Sequence, residues 1–247
     1  MSIHAWRRLS EHLPSSCQVC DRWPAQPVCT ACEKRFAPLQ LRCRTCAVNL
    51  GTSTAGADLC GACRTRSTPL LVRSCVAAVD YAYPWDELIA RFKFRSEPGW
   101  AGPMAALLLK TPEAVALLQT CDLVVPVPLT PTRLASRGYN QSWELVKALH
   151  RAAPNAAGRH NALSDALVRL GEVPDQHSLT REQRMSNLQG VFAAHPLRTA
   201  QLAGTHVLLV DDVTTTGATL HSAAQALLQA GARQVSALVF ARTAPDG

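Results

Sequence analysis

The chain has 247 residues, of which 47% are hydrophobic and 17% charged, with a formal net charge of +7. That balance excludes an intrinsically disordered chain. The longest uninterrupted aliphatic run, Met104 to Leu109, falls far short of the ~18 apolar residues of a membrane-spanning helix, and no apolar run follows Arg7 and Arg8 as it would in a secretory signal. A chain without a membrane span, located in the cytoplasm, is expected.

Eight of the ten cysteines form four Cys-x-x-Cys pairs near the N-terminus: Cys17/Cys20, Cys29/Cys32, Cys43/Cys46 and Cys60/Cys63. One tight turn lets the two sulfurs of a pair face the same tetrahedral ion, and two such turns complete a four-cysteine zinc site. Two Zn²⁺ therefore account for all eight. Disulfides are the competing reading, and they need an oxidising compartment that no export signal supports. Sequential pairing of the motifs closes the shortest loops; an interleaved pairing stays open. The segment is too short and polar to bury a core, so metal binding must supply much of its folding free energy. Tandem zinc ribbons over residues 1–70 are expected, ahead of a second domain over 71–247.

Residues 1–75 hold ten Lys/Arg against four Asp/Glu. Eight thiolates binding two Zn²⁺ remove most of that excess, so the apo charge overstates the field a nucleic acid would meet. Arg42, Arg44, Arg64, Arg66 and Arg73 form either a local patch for an anionic ligand or a solvated surface.

Beyond residue 70 the composition changes. Ser74 to Tyr83 reads as a strand, with Cys75 and Cys121 as small buried packers. Pro84 opens a helix carrying Trp85, Leu88, Ile89 and Phe92 on one face, acidic at its start and basic at its end. Met104 to Leu118 reads as a helix interrupted near Pro112. Leu123 to Val127 is a β-branched run leading into a loop at Pro126 and Pro128. Gln141 to Leu149 reads as a helix and Ala162 to Leu170 as a strand. Val207 to Val210 is a fully apolar strand of the kind a parallel sheet buries on both faces. A helix with Leu220, Ala223, Ala224, Leu227 and Leu228 follows, closed by Gly231, and Val235 to Phe240 is the last strand. Alternation of this kind predicts an α/β domain around a parallel sheet.

The most informative stretch runs from Val207 to Thr219, where an apolar strand meets Asp211 and Asp212, then Thr215, Thr216, Gly217 and Thr219 at the start of a helix. Ligands of open α/β sheets bind beyond the carboxyl ends of the strands, where helix amides hold phosphate. The carboxylates suit sugar hydroxyls, which donate to them. Asp211 and Asp212 at a strand end could instead bind Mg²⁺, and Thr-rich turns also cap helices. As an exposed loop acid, Asp212 should be replaceable by Asn with weaker ligand binding but little cost in stability. A Walker phosphate loop is excluded by the missing Gly-x-x-x-x-Gly-Lys-Ser/Thr.

This stretch resembles the phosphoribosyl pyrophosphate (PRPP) motif of type I phosphoribosyltransferases. With Pro126 to Leu129, Arg133, Arg137 to Ser142, Gln176, Arg184, Asn187, Gly190 and Phe192, the chain resembles the ComF/GntX family across about residues 17–242. The resemblance implies a type I phosphoribosyltransferase-like parallel sheet flanked by helices, with a small N-terminal double zinc-ribbon domain. It implies that Asp211 and Asp212 hold the ribose hydroxyls and that Thr215, Thr216, Gly217 and Thr219 hold the 5-phosphate. Arg133 and Arg137 become contacts for pyrophosphate. Lys93, Asn140, Gln141, Arg184 and Asn187 match family positions whose roles do not follow from their chemistry; Asn140 could simply cap the next helix.

As an enzyme the domain would exchange pyrophosphate of PRPP for a nucleophile, with Mg²⁺ accompanying PRPP and a flap over Gly171 to Ser186 excluding water. No residue declares the acceptor. The alternative is a non-catalytic PRPP-binding or DNA-associated protein of the competence (DNA uptake) type, with single-stranded DNA or a DNA-uptake protein as partner.

Overall fold

The computed structural model describes residues 15–51, 58–67, 70–153, 161–170 and 191–244. Gln176, Arg184, Asn187, Gly190 and the segment Gly171 to Ser186 lie outside the described residues. The chain divides into two compact units, Met1–Pro38 and Leu39–Gly247. The division falls between the second and third Cys-x-x-Cys pairs, inside the segment whose composition suggests one double ribbon.

The smaller unit is built around cysteines. Ser15 and Ala25 bridge the ends of a turn that carries Cys17 and Cys20, and Cys29 precedes helix α1 (Thr30–Phe36). Cys17, Val28, Cys29 and Cys32 are its buried apolar residues. So small an interior cannot offset chain entropy alone.

The larger unit opens with the same device. Arg42 and Asn49 bridge a turn holding Cys43 and Cys46, and Cys60 precedes the short helix α2 (Gly61–Arg64). Strand β1 (Val72–Asp80) follows, then helices α3 (Trp85–Phe94), α4 (Ala101–Leu108) and α5 (Pro112–Thr120). Next come β2 (Leu123–Pro126), α6 (Pro131–Arg137), α7 (Gln141–Ala152), β3 (Asn161–Ala162), β4 (Leu167–Arg169) and β5 (Phe192–Ala194). The chain closes with α8 (Thr199–Leu202), β6 (His206–Thr214), α9 (Ala218–Gln229) and β7 (Gln234–Arg242). The main sheet is parallel, in the order β1-β7-β6-β2-β3, and β4 pairs antiparallel with β5 in a separate two-stranded sheet.

Both faces of the main sheet are covered, as a parallel sheet requires. Val207 and Leu209 of β6 join Leu220, Ala223 and Leu227 of α9 in one core, with Val235 and Ala237 of β7. Their neighbours Leu208, Val210 and Phe240 are also fully buried. The Phe240 ring meets Trp85 of α3 edge-on, with centroids 5.7 Å apart, and α7 packs on β6 and β2 and against α4.

Most of the expected elements are present, with four differences. The helix foreseen over Met104 to Leu118 is two, α4 and α5, whose axes turn by 98° between them. Pro112 begins the second, where its missing N–H costs nothing. The strand foreseen over Ala162 to Leu170 is divided between β3 and β4, in two different sheets. Helix α6 fills what reads as a loop; Thr130 caps it through the Arg133 amide, and Gly138, at φ 77°, ends it. Finally, β6 runs four residues past Val210 and takes Asp211 and Asp212 into the sheet. The continuous run of apolar side chains stops at Val210, but backbone pairing with β7 continues through Thr214 and Arg242. Among the described residues no single helix is long and apolar enough to cross a membrane.

Candidate functional site

Each group of four cysteines gathers its sulfurs within 4.8 Å of one another: Cys17, Cys20, Cys29 and Cys32 in one, Cys43, Cys46, Cys60 and Cys63 in the other. The pairing is therefore sequential. Four sulfurs bound to one tetrahedral Zn²⁺ at ~2.3 Å stand about 3.8 Å apart. The contacts Cys17–Cys32, Cys20–Cys29 and Cys46–Cys60 measure 3.8, 3.7 and 3.6 Å. Disulfide sulfurs would be about 2.0 Å apart, so these are metal-site distances. None of the ten cysteines is in a disulfide.

The local backbone explains the geometry. In both turns the residue after the second cysteine takes a left-handed conformation, Asp21 at φ 56° and Ala47 at φ 59°. Its amide returns to the carbonyl of the first cysteine, at 2.8 Å in one turn and 2.7 Å in the other. The second pair of each group starts at the residue before a helix, α1 or α2. Burial opposes ionisation of Cys17, but hydrogen bonds from the Cys29, Val19 and Cys20 amides outweigh it and bring the thiol down to about 6. Burial and the neighbouring Cys43 charge oppose ionisation of Cys46, which lies up at about 11. Four crowded thiols resist joint deprotonation, and a divalent cation reverses that resistance. Both groups fit a structural Zn²⁺.

The second site is stitched to the α/β core of its own unit. Arg42 Nη1 meets Asp80 Oδ1 at 2.7 Å and donates to the Ala47 carbonyl at 3.2 Å. Arg242 of β7 donates from Nε to the Cys46 carbonyl at 2.9 Å, and the Cys75 amide of β1 donates to the Arg44 carbonyl at 2.8 Å. Arg42 is therefore committed to holding the turn and leaves the set of arginines available for an anion. Ala47 belongs to the sheet's hydrophobic core. Cys75 and Cys121 are buried packers, each pushed up to about 12, chiefly by burial.

At the carboxyl ends of β6 and β7 the expected ligand residues converge. Asp212 is 5% exposed and its Oδ1 lies 2.9 Å from Lys93 Nζ. Asp211 accepts from Ser142 Oγ at 2.9 Å and from the Asp212 amide at 2.9 Å. Burial, and then the Asp212 charge, push the Asp211 carboxyl up to about 7. The expectation of an exposed loop acid at Asp212 is thus corrected: both acids lie on strand β6, with Lys93 of α3 pairing Asp212 and the Ser142 hydroxyl of α7 donating to Asp211. Beyond them Thr215 is exposed, Thr216 and Thr219 are half-buried, and Gly217 stands at φ 81° just before α9. Thr216 Oγ1 accepts from the Ala218 amide at 3.3 Å, so this hydroxyl caps the helix. The first amides of α9, which have no partners within the helix, face the same end of the sheet.

Residues of α6 and α7 come close to the acid pair, Arg137 within electrostatic reach of both acids and Ser142 in contact with Asp211. Arg137, the last residue of α6, donates from Nη1 to Gln141 Oε1 at 3.0 Å and lies over the Phe94 ring at 5.0 Å. Burial opposes its charge while Asp212 favours it. Gln141 and Tyr139 both donate to the Phe92 carbonyl. Asn140 caps α7 by accepting from the Ser142 and Trp143 amides, and its Nδ2 donates to the Val127 carbonyl at 3.0 Å. These contacts give Lys93, Asn140 and Gln141 definite tasks: Lys93 neutralises Asp212, Asn140 ties α7 to the end of β2, and Gln141 orients Arg137. Arg133 is half-buried beside Arg137. Ser142 is the site residue that sequence reasoning did not single out. It lay within the quoted Arg137 to Ser142 run, but only the register of α7 against β6 reveals its contact with Asp211.

A family model for a phosphoribosyl transferase domain matches residues 160–246, the span that contains β6, the Thr215–Gly217 turn and α9. The DNA utilization protein YhgH of Escherichia coli (strain K12) is 30% identical over 238 residues, covering 94% of this chain and 98% of that protein. Competence protein F of Haemophilus influenzae is 30% identical over 167 residues, covering 66% of this chain and 69% of its own length. Competence protein ComFC of Bacillus subtilis is 29% identical over 175 residues, covering 70% of this chain and 66% of its own. With two four-cysteine groups ahead of a phosphoribosyltransferase domain, and a relative matched over nearly its whole length, the chain belongs to the ComF/GntX-like family.

Proposed function

We propose that this chain is a DNA-associated protein of the competence type whose phosphoribosyltransferase domain binds PRPP. The observation that carries the DNA-related part is the end-to-end similarity to the DNA utilization protein YhgH, 98% of which is matched. Single-stranded DNA or a DNA-uptake protein is its partner. The free cysteines suit the reducing cytoplasm, where zinc rather than disulfide linkage persists.

PRPP binding draws support from the family match and from the end of β6. Ribose hydroxyls reaching Asp211 and Asp212 must compete with Ser142 and Lys93, so ligand binding and rearrangement of those two contacts go together. In this reading Thr215, Gly217 and Thr219, with the first α9 amides, take the 5-phosphate, and Arg137 and Arg133 take the pyrophosphate. Mg²⁺ enters as the counter-ion of PRPP. A second reading, transfer of the phosphoribosyl group to an acceptor, is favoured by the complete acid pair and Thr-Thr-Gly turn of the matched domain.

Incubation of the zinc-loaded protein with PRPP, Mg²⁺ and candidate nucleophiles separates the readings. Saturable PRPP binding with no acceptor-dependent pyrophosphate release is expected. Release that follows one acceptor would establish the transferase instead.

A further inference from the structure

Between the second cysteine turn and the phosphate end of the β6–α9 loop lies a small pocket, part of it open to solvent. Cys46 lines one side, Thr216, Gly217 and His221 the other, and two guanidinium groups, Arg66 and Arg242, complete it. All of these residues belong to the larger unit.

The two arginines differ in employment. Arg242 is spent on main-chain carbonyls, those of Cys46, Thr214 and Thr243. Arg66 is not so committed. Its Nε is shut off from water and has no hydrogen-bond partner among the described residues, and the same holds for His221 Nδ1. A buried donor left in this state costs about 1–3 kcal/mol, and a bound acceptor relieves that cost. The Arg66 Nε–H, a buried donor without a partner among the described residues, in a pocket that also meets the start of a twelve-residue helix, asks for an anion with acceptor oxygens.

We infer that Arg66 is an additional contact for the phosphate end of a phosphoribosyl ligand, in a pocket that the second zinc turn shares with the β6–α9 loop. The inference rests on the PRPP-binding reading given above and adds to it a residue from outside the transferase domain match. Cys60 and Cys63 fix the short helix α2, and Arg66 stands two residues beyond its end. Zinc at that site therefore places the guanidinium, and the cysteine segment becomes part of the ligand site rather than a separate appendage. The competing role for Arg66 is to neutralise the zinc tetrathiolate, whose net charge is −2; that role predicts an effect on metal retention and none on phosphate affinity.

Calorimetric titration of the zinc-loaded full chain with ribose 5-phosphate, and separately with PRPP and Mg²⁺, distinguishes these. Arg66→Gln is expected to weaken ribose 5-phosphate tenfold or more while retaining two zinc ions, and Arg66→Lys to recover part of the loss. Unchanged affinity in folded Arg66→Gln overturns the inference, whether or not zinc is lost. PRPP binding that falls with Asp212→Asn but not with Arg66→Gln also overturns it, leaving the PRPP reading intact. Arg66-dependent binding of ribose 5-phosphate without any PRPP binding sustains it and removes that reading. Binding of neither ligand removes both. Should Arg66→Gln fail to fold, the His221 ring resonances of the unaltered protein carry the test: a saturable shift on adding ribose 5-phosphate is expected, and none is contradictory.

Discussion

Asp212 sits at the buried end of a strand with its charge already answered by Lys93 at 2.9 Å. Asn at this position keeps the shape but leaves the ammonium without its counter-charge, in a place with little water to replace it. Asp212→Asn should therefore lower stability by about 1–3 kcal/mol, measured by denaturant unfolding, as well as weaken PRPP binding. A variant as stable as the parent would show the pair to be solvated. Asp211 makes a prediction about pH. Its carboxyl lies at about 7 in the folded protein, raised by burial and by Asp212, against ~3.9 in an unfolded chain. The folded state thus keeps a proton that the unfolded state releases, so the stabilisation is complete below about pH 4 and is lost as pH rises through about 7. Asp211→Asn is expected to flatten the decline in Tm between about pH 5 and 7.5, and an unaltered decline would assign the titration elsewhere. Neither effect was legible in the sequence, because the adjacent acids declare their chemistry but not the partners that α3 and α7 bring to them.

The elements divide by how local their causes are. Helix α3 was plain from its apolar face and its terminal charges, and α7 and α9 from their apolar spacing. Helix α6 had its own signals, Thr130 before it, Pro131 as its first residue and Gly138 after it, but seven residues with none buried offer no apolar stripe to read. The end of β6 was hidden for the opposite reason: polar Asp211 and Thr214 break the pattern while the β7 ladder holds the backbone extended. Gly217 shows what the turn after β6 demands. A Cβ there would meet nothing within 4 Å, so Gly217→Ala pays only for its φ of 81°. A loss of about 1–2 kcal/mol is expected in thermal or denaturant unfolding. No loss would mean that the turn has another backbone conformation. The grouping of the cysteines was legible from their spacing, whereas the left-handed Asp21 and Ala47 that close the two turns were not.

For the molecule as a whole, the alternation of strands and helices announced a parallel α/β sheet, the resemblance of the Val207–Thr219 stretch implied its phosphoribosyltransferase-like form, and the observed order β1-β7-β6-β2-β3 places the strand of that stretch at its centre. What could not be read was which unit the second cysteine group joins. That depends on Arg42–Asp80, on Arg242 reaching the Cys46 carbonyl and on Ala47 entering the core, contacts between residues far apart in sequence. The consequence is testable: stripping zinc should lower the Tm of the α/β unit as well as unfold the smaller one, with two Zn²⁺ per chain recovered by elemental analysis. An α/β unit indifferent to chelation would show the second turn to be a mere attachment. If DNA is held through phosphate contacts, its affinity must fall steeply with salt, and a flat response would argue against it. The most direct measurement for the account is calorimetric titration of the zinc-loaded chain with PRPP and Mg²⁺. One saturable site per chain, weakened by Asp212→Asn and by Gly217→Ala, is the predicted result; no heat of binding, or binding indifferent to both substitutions in folded protein, would contradict it.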